Sequence, residues 1–302
     1  MTVADELLAH AQGRALIGDT GYVQPQGVPG QIYSRTPQLR LSKTFKTKDI
    51  TFDIAIAASR PPQRDSATPE GEAGLHLAIN NWTGTQTIGA TGSTVSPASI
   101  AVTGDLRRFS LPEFAAKPVS SNDVTTGAIA VDTFLPVLPG TEENKGNSLS
   151  LLGEFVAGNG MTDMFTGLQS GATFPALPAN ADGTVPAYNS QIDPGMVVYG
   201  SDGILHAVQW TTYRVGAQYY FPGLDGKMWI SGNYSRTSSS NASTFGNANA
   251  TLDHVDWFDV NLMGDLTPAV RLGIEYANYN TSYADGIHAL NHRIYTSAFY
   301  IF

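Results

Sequence analysis

The 302-residue sequence contains no cysteine, which excludes a disulfide framework and any thiolate-held metal site. Charge is scarce: Asp, Glu, Lys and Arg make up 14% of the residues, against about 25% in an ordinary soluble chain. A disordered chain would be charge-rich and poor in aromatics, whereas aromatics here reach 10%. With 17 Lys+Arg against 26 Asp+Glu the net charge is −9. That leaves no basic footprint for nucleic acid. No apolar run approaches about 18 residues, so no membrane-spanning helix is expected. The N-terminus, MTVADELLAHAQG, lacks the basic start and long apolar core of a signal peptide. Helical periodicity is nearly absent; residues 3–11, with Leu7 and Leu8, are the one short candidate.

What the sequence does have is alternation. Apolar and polar residues exchange at period two over many segments, the mark of a strand whose two faces meet different surroundings. Phe52, Ile54 and Ile56 alternate with Thr51, Asp53 and Ala55. Ile100, Val102 and Leu106 alternate with Thr103, Asp105 and Arg107. Val270, Leu272, Ile274 and Tyr276 alternate with Arg271, Gly273, Glu275 and Ala277. From Asn291 the chain runs NHRIYTSAFYIF, with Ile294, Thr296, Ala298, Tyr300 and Phe302 on one face. The pattern predicts about twelve strands, beginning near residues 14, 32, 50, 73, 97, 124, 148, 205, 227, 254, 269 and 291. At about 10 to 15 residues they exceed the usual ~5–6 of globular sheets and reach the ~9–11 needed to cross a bilayer at a tilt.

The connections alternate in length. Residues 46–49, 222–226 and 266–269 are short, whereas 60–72, 111–123, 158–202, 237–253 and 284–290 are long. A transmembrane barrel has short turns at one rim and long loops at the other. Residues 83–96, TGTQTIGATGSTVS, break the rule, since parity asks for a short turn there. Tyr219, Tyr220, Phe221, Trp229, Tyr300 and Phe302 cluster at the turn end, as an interfacial girdle would. The expected fold is therefore all-β: a transmembrane antiparallel β-barrel over residues 14–302, preceded by a short non-barrel segment, 1–13. A soluble β-sandwich is the bland alternative, with shorter strands and more surface charge.

A terminal Phe302 closing an alternating strand resembles the C-terminal assembly signal of bacterial outer-membrane barrels, with Tyr300 beside it. The stretch GRALIGDTGYVQPQGVPGQIYSRTPQLRL, residues 13–41, resembles the DcaP-like porins. Their Gly-Gln-Thr is matched by Gly18, Asp19 and Thr20, and their Arg-x-Pro-Gln-x-Arg strand by Arg35, Pro37, Gln38 and Arg40. Asp19 stands where the family has Gln, and Gly21 where an aromatic is expected. The resemblance implies a sixteen-stranded barrel of which about twelve strands are present here. It also implies a homotrimer, small acidic solutes and insertion by the barrel-assembly machinery. Ala128, Ala130 and Gly232 are expected as small outward residues suited to close packing.

The polar phase would line a lumen. It places Arg40, Arg107, Arg214 and Arg271 inside with Asp53, Asp105, Asp259 and Glu275; Arg35 is out of phase with Arg40 and belongs near the mouth. One reading is a transverse field with bases and acids on separate walls, since rings of charge set selectivity; the other is that these groups pair and brace the wall. The loop 158–202 holds Asp163, Asp182, Asp193 and Asp202, and no Lys or Arg occurs from Gly146 to Tyr213. It reads as a lid or constriction, as a solvated surface loop, or as a weak divalent-cation site. No cofactor or metal is expected. There is no zinc-protease, nucleophile-elbow or phosphate-loop motif, so no enzyme is expected. A hydrolase in the wall would need Ser and His on adjacent outward strand positions.

The function these readings favour is an outer-membrane channel for passive diffusion of small hydrophilic solutes, its outer surface against lipid. A barrel whose long loops bind a partner, and a soluble binding module, are the alternatives.

Overall fold

The computed structural model describes residues 36–301 apart from 64–65, 67, 88–92, 166–170 and 191. The strand expected near residue 14, the segment 1–13, and Arg35 and Phe302 lie outside the described residues.

Eleven strands form one antiparallel sheet in strict chain order. They are β1 (Gln38–Lys46), β2 (Ile50–Ser59), β3 (Glu70–Gln86), β4 (Thr94–Pro112), β5 (Ser121–Leu138), β6 (Leu149–Asn159), β9 (Gln209–Tyr220), β10 (Met228–Ser239), β11 (Leu252–Thr267), β12 (Val270–Tyr283) and β13 (His288–Tyr300). A two-stranded hairpin, β7 (Val197–Tyr199) with β8 (Leu205–Ala207), sits inside the long connection from β6 to β9. No described strand pairs with the outer edges of β1 and β13. The strand expected near residue 32 begins at Gln38, because Pro37 has no N–H for a ladder. The other expected strand starts fall within a few residues of the observed ones, and the β7–β8 hairpin was not anticipated.

Residue phase divides the sheet into two unlike faces. One face carries Ile54, Leu75, Val102, Ile129, Val215 and Ile274, each from 36% to 55% exposed. The other carries His76, Thr103, Glu154, Arg214, Asn233 and Glu275, each buried. Aliphatic side chains bare and polar side chains covered is the reverse of a soluble fold. We call the covered face inner and the aliphatic face outer.

Aromatics flank the aliphatic band on the outer face. Phe45, Phe52, Tyr219, Phe221 and Tyr300 lie toward the turns, and Phe155, Tyr213, Tyr234, Phe258 and Tyr276 toward the loops. The girdle expected from sequence needs correction at two residues. Tyr220 and Trp229 are buried on the inner face with ring centroids 5.5 Å apart, because they fall in the polar phase of their strands. Ala128 and Ala130 are likewise corrected: Ala130 is buried on the inner face under Met161 and Met164, while Gly232 keeps the outer phase.

The short connections appear where expected. Between β9 and β10 the chain turns through Gly223 and Gly226 at φ +79° and +67°, a conformation that glycine enters without steric cost. Of the anomalous residues 83–96, most of those described are strand. β3 runs on to Gln86 and β4 starts at Thr94, with the register shifted between Ile79 and Thr83.

Candidate functional site

The inner face has three zones: an apolar zone under the loops, a polar belt, and a zone at the turns. The loop zone is built by the overlong β4–β5 hairpin, which stands above β6. Its inner side chains Phe109 and Leu111 are fully buried against Ile192, Met196, Val197 and Tyr199 of the loop. Nearby, Met161, Met164 and Phe165 pack on Ala130, Val156 and Trp210, and on Ala242 and Phe245 from the β10–β11 connection. The loop is thus folded onto the wall with its own small core.

Polar groups fix its position. Tyr199 Oη and Tyr188 Oη donate to the Pro112 carbonyl at 2.8 and 2.7 Å, and Asn122 Nδ2 donates to Tyr199 Oη at 2.9 Å. Burial pushes both phenols up, which keeps them protonated donors. Trp210 Nε1 donates to the Gly195 carbonyl at 2.9 Å. Trp210→Ala removes this anchor and opens a large cavity. It should destabilise the loop zone by about 3–5 kcal/mol, seen as rapid cleavage between residues 160 and 208 by added protease.

The four loop aspartates do not act together. Asp163 Oδ1 lies 2.6 Å from Arg107 Nη1. Asp182 accepts from the Thr184 hydroxyl and N–H at 2.6 and 2.9 Å, which holds its carboxyl below the usual range. Asp193 accepts from the Gly195 N–H at 2.7 Å. Asp202 accepts from the Ile204 N–H at 2.9 Å, and this lowers its carboxyl too. Three of the four close local turns, and among the described residues no three His, Asp or Glu side chains gather as a metal site.

The polar belt collects the charged residues expected inside. Arg107 Nε is 2.8 Å from Glu70 Oε1 and 2.9 Å from Asp105 Oδ2, and its Nη1 also donates to the Gly160 carbonyl at 2.9 Å. Arg214 Nη2 is 3.5 Å from Glu154 Oε2, and Asp132 faces Glu154 across the ladder. Arg271 Nε is 2.6 Å from Asp265 Oδ1, with its guanidinium 4.8 Å from the Trp229 ring centroid. Asp259 accepts from Trp257 Nε1 at 2.6 Å and from Asn233 Nδ2. Asp53 accepts from Thr44 and faces His76 Nδ1 at 2.9 Å. Glu275 is buried on the same face, opposite Asn261, and Arg40 shares that phase on β1.

Each of the arginines 107, 214 and 271 therefore sits among its own carboxylates. On the described strands bases and acids pair with one another rather than standing on separate walls. Sequence reading missed Glu70, Asp132, Glu154 and Asp265 as the partners. Glu154 was legible, since it lies in the polar phase with Ser150.

Ser and His do meet on adjacent outward positions at the loop rim. Ser282 Oγ is 3.1 Å from His254 Nε2, and Asp253 Oδ2 is 2.6 Å from His254 Nδ1. Asp253 reaches its neighbour because it is the bulged residue between Leu252 and His254. The same hydroxyl is 2.7 Å from His288 Nδ1, and Ser282 is 2% exposed. An oxygen enclosed by two imidazoles ties β11, β12 and β13 together.

No family model and no curated protein matches the sequence. Among solved structures the fold superposes on the outer membrane channel DcaP of Acinetobacter baumannii with a TM-score of 0.59 at 14% identity, covering 91% of this chain and 65% of that one. The chain thus spans about two thirds of the DcaP chain's length. The NanC porin matches at a TM-score of 0.35 and 10% identity, over 91% of this chain and 98% of that one, too loose a superposition to argue from. The architecture of this chain, an antiparallel meander with an aliphatic outer face and a polar inner one, shares the fold of DcaP.

Proposed function

We propose that the chain forms a porin-like channel in a bacterial outer membrane and passes small hydrophilic solutes by passive diffusion. The inverted surface carries this reading: a bare aliphatic band between two aromatic belts, backed by a belt of buried polar and charged groups. Lipid accepts the first and a water-filled lumen the second. A sheet embedded in lipid cannot leave unpaired edges, so in this reading the outer edges of β1 and β13 are both paired. Arg40, Asp53, Asp105, Arg107, Arg214, Asp259, Arg271 and Glu275 line the lumen in this reading. The loop 158–202 narrows its outer mouth, and the homotrimer and barrel-assembly partner follow from the family resemblance.

The preference for acidic solutes that the family resemblance implies would rest on Arg35, Arg40 and Arg107. Arg107 is engaged by three carboxylates. The inner face also carries Glu72, Asp132, Glu154, Asp259 and Glu275, all buried. Inner acids outnumber inner guanidinium groups on the described strands, so small cations are the expected favoured ions. Single-channel recording in a planar bilayer under a salt gradient tests this. Stepwise conductance with a cation-selective reversal potential is expected. A folded, inserted protein without conductance would overturn the channel and shift the weight to the loops as a binding surface.

A further inference from the structure

The inner end of the β3–β4 hairpin leaves the wall and lies across the inner faces of the strands that follow it. Within the register shift, Trp82 Nε1 donates to the Pro136 carbonyl at 2.7 Å. The Gly140 N–H donates to the Thr83 carbonyl at 3.4 Å, and Ser150 Oγ to the Thr85 carbonyl at 3.1 Å. Further along, the Thr87 N–H donates to Gln218 Oε1 at 2.8 Å, and Gln218 Nε2 donates back to the Thr87 carbonyl at 3.0 Å. Thr87 Oγ1 also bonds Tyr220 Oη, and Lys145 Nζ donates to Ser93 Oγ at 2.9 Å. Pro136, Ser150, Gln218 and Tyr220 all belong to the inner phase of β5, β6 and β9.

The hairpin thus spans from β4 past β5 and β6 to β9, three strand spacings or about 14 Å of wall. Its residues are sealed against that wall: Thr85, Gln86 and Thr87 are at most 2% exposed. The approach is close enough that a Cβ on Gly84 would collide with Pro136 Cβ, which explains a glycine inside a strand. The groups that anchor these residues at the turn side are neutral hydroxyls, amides and carbonyls, apart from Lys145.

We propose that residues 83–87 and 93–97 form a fixed strap across the turn-side mouth of the channel, and that this strap sets the largest solute that passes. The inference rests on the channel reading. It places the size-limiting narrowing at the mouth opposite the one that the long loop narrows. The anchoring of Thr87 to Gln218 is reciprocal and buried, and Lys145 holds the second arm at Ser93, so the strap does not swing.

Two variants test it. Deleting Thr85–Gln86 together with their ladder partners Thr94 and Val95 keeps the face alternation and shortens the strap by about 7 Å. The expected result is roughly doubled single-channel conductance and faster liposome swelling with oligosaccharides too large for the parent. Ser93→Cys, in a chain without native cysteine, keeps the fold and places one thiol on the strap. Cationic and anionic methanethiosulfonate reagents should then move the reversal potential in opposite directions. Parent-like conductance in the first variant, with no reagent effect in the second, overturns the strap and leaves the channel standing. If parent and variants insert and none conducts, the channel reading falls and the strap with it. Should the deletion not fold, Ser93→Cys decides alone.

Discussion

Replacing Arg107 with leucine lowers the resistance to unfolding by about 3–5 kcal/mol and releases the long loop from the wall. The guanidinium is 3% exposed and is approached by Glu70, Asp105 and Asp163 within 2.9 Å. Removing it leaves three carboxylates facing one another with no counter-charge, which costs far more than the pair itself contributes. Asp163 is the link to the loop, and its side chain is 25% exposed, so water offsets part of its loss and the effect belongs toward the lower end. Arg108 next door is the control: its pair with Asp123 at 2.6 Å is about half exposed on both sides, and Arg108→Ala should change stability by less than about 1 kcal/mol. Urea unfolding of the refolded protein in lipid, with protease cleavage of residues 160–208 read alongside, measures both. Equal behaviour of the two variants would mean that the network does not hold the loop.

Leu75→Arg separates a membrane wall from a soluble sheet. Leu75 is 45% exposed, pairs with Ile54 and Val102 on the flanking strands, and lies within the aliphatic band. In lipid an arginine near the midplane costs about 2–4 kcal/mol. On a soluble surface the same change stays within about 0.5 kcal/mol. The expected outcome is the large value, with a lower unfolding midpoint in bilayers and poor insertion into vesicles. His76→Arg, one residue along and facing inward, would be the informative companion only where Asp53 remains to receive it. A Leu75→Arg protein as stable as its parent would remove the lipid-facing band and with it the membrane reading.

The strand pattern was legible because period two is a local property. The phases of Thr103, Asp105 and Arg107 and of Arg271 and Glu275 follow from their immediate neighbours, and each lies on the inner face. Tyr220 and Trp229 could have been placed the same way, since Tyr219 and Ile230 carry the outer phase; clustering by residue type hid it. What could not be read was anything that depends on partners far along the chain. Residues 83–96 looked only like a violation of loop length. Their meaning lies in bonds from Thr87 to Gln218 and Tyr220, 131 and 133 residues away. The loop aspartates looked like a set because they share a segment free of Lys and Arg, yet three serve their own turns and one serves Arg107. Pairing of Arg214 with Glu154 needed β6 beside β9, and the intervening connection concealed that adjacency.

That same adjacency has a consequence for how the protein assembles. Nine of the sheet's ten ladders join strands that follow each other in the chain; only β6 and β9 are separated by the β7–β8 hairpin. Closing this connection, about ten times longer than a tight turn, costs roughly 2 kcal/mol more chain entropy. The ladder that would nucleate last is therefore in the middle of the sheet. The cluster around Trp210 and Met161 shortens the search, because once it condenses the ends of β6 and β9 are already side by side. A loop that lies folded on the finished wall thus acts earlier as the clasp between two half-sheets, each able to zip from its own hairpins.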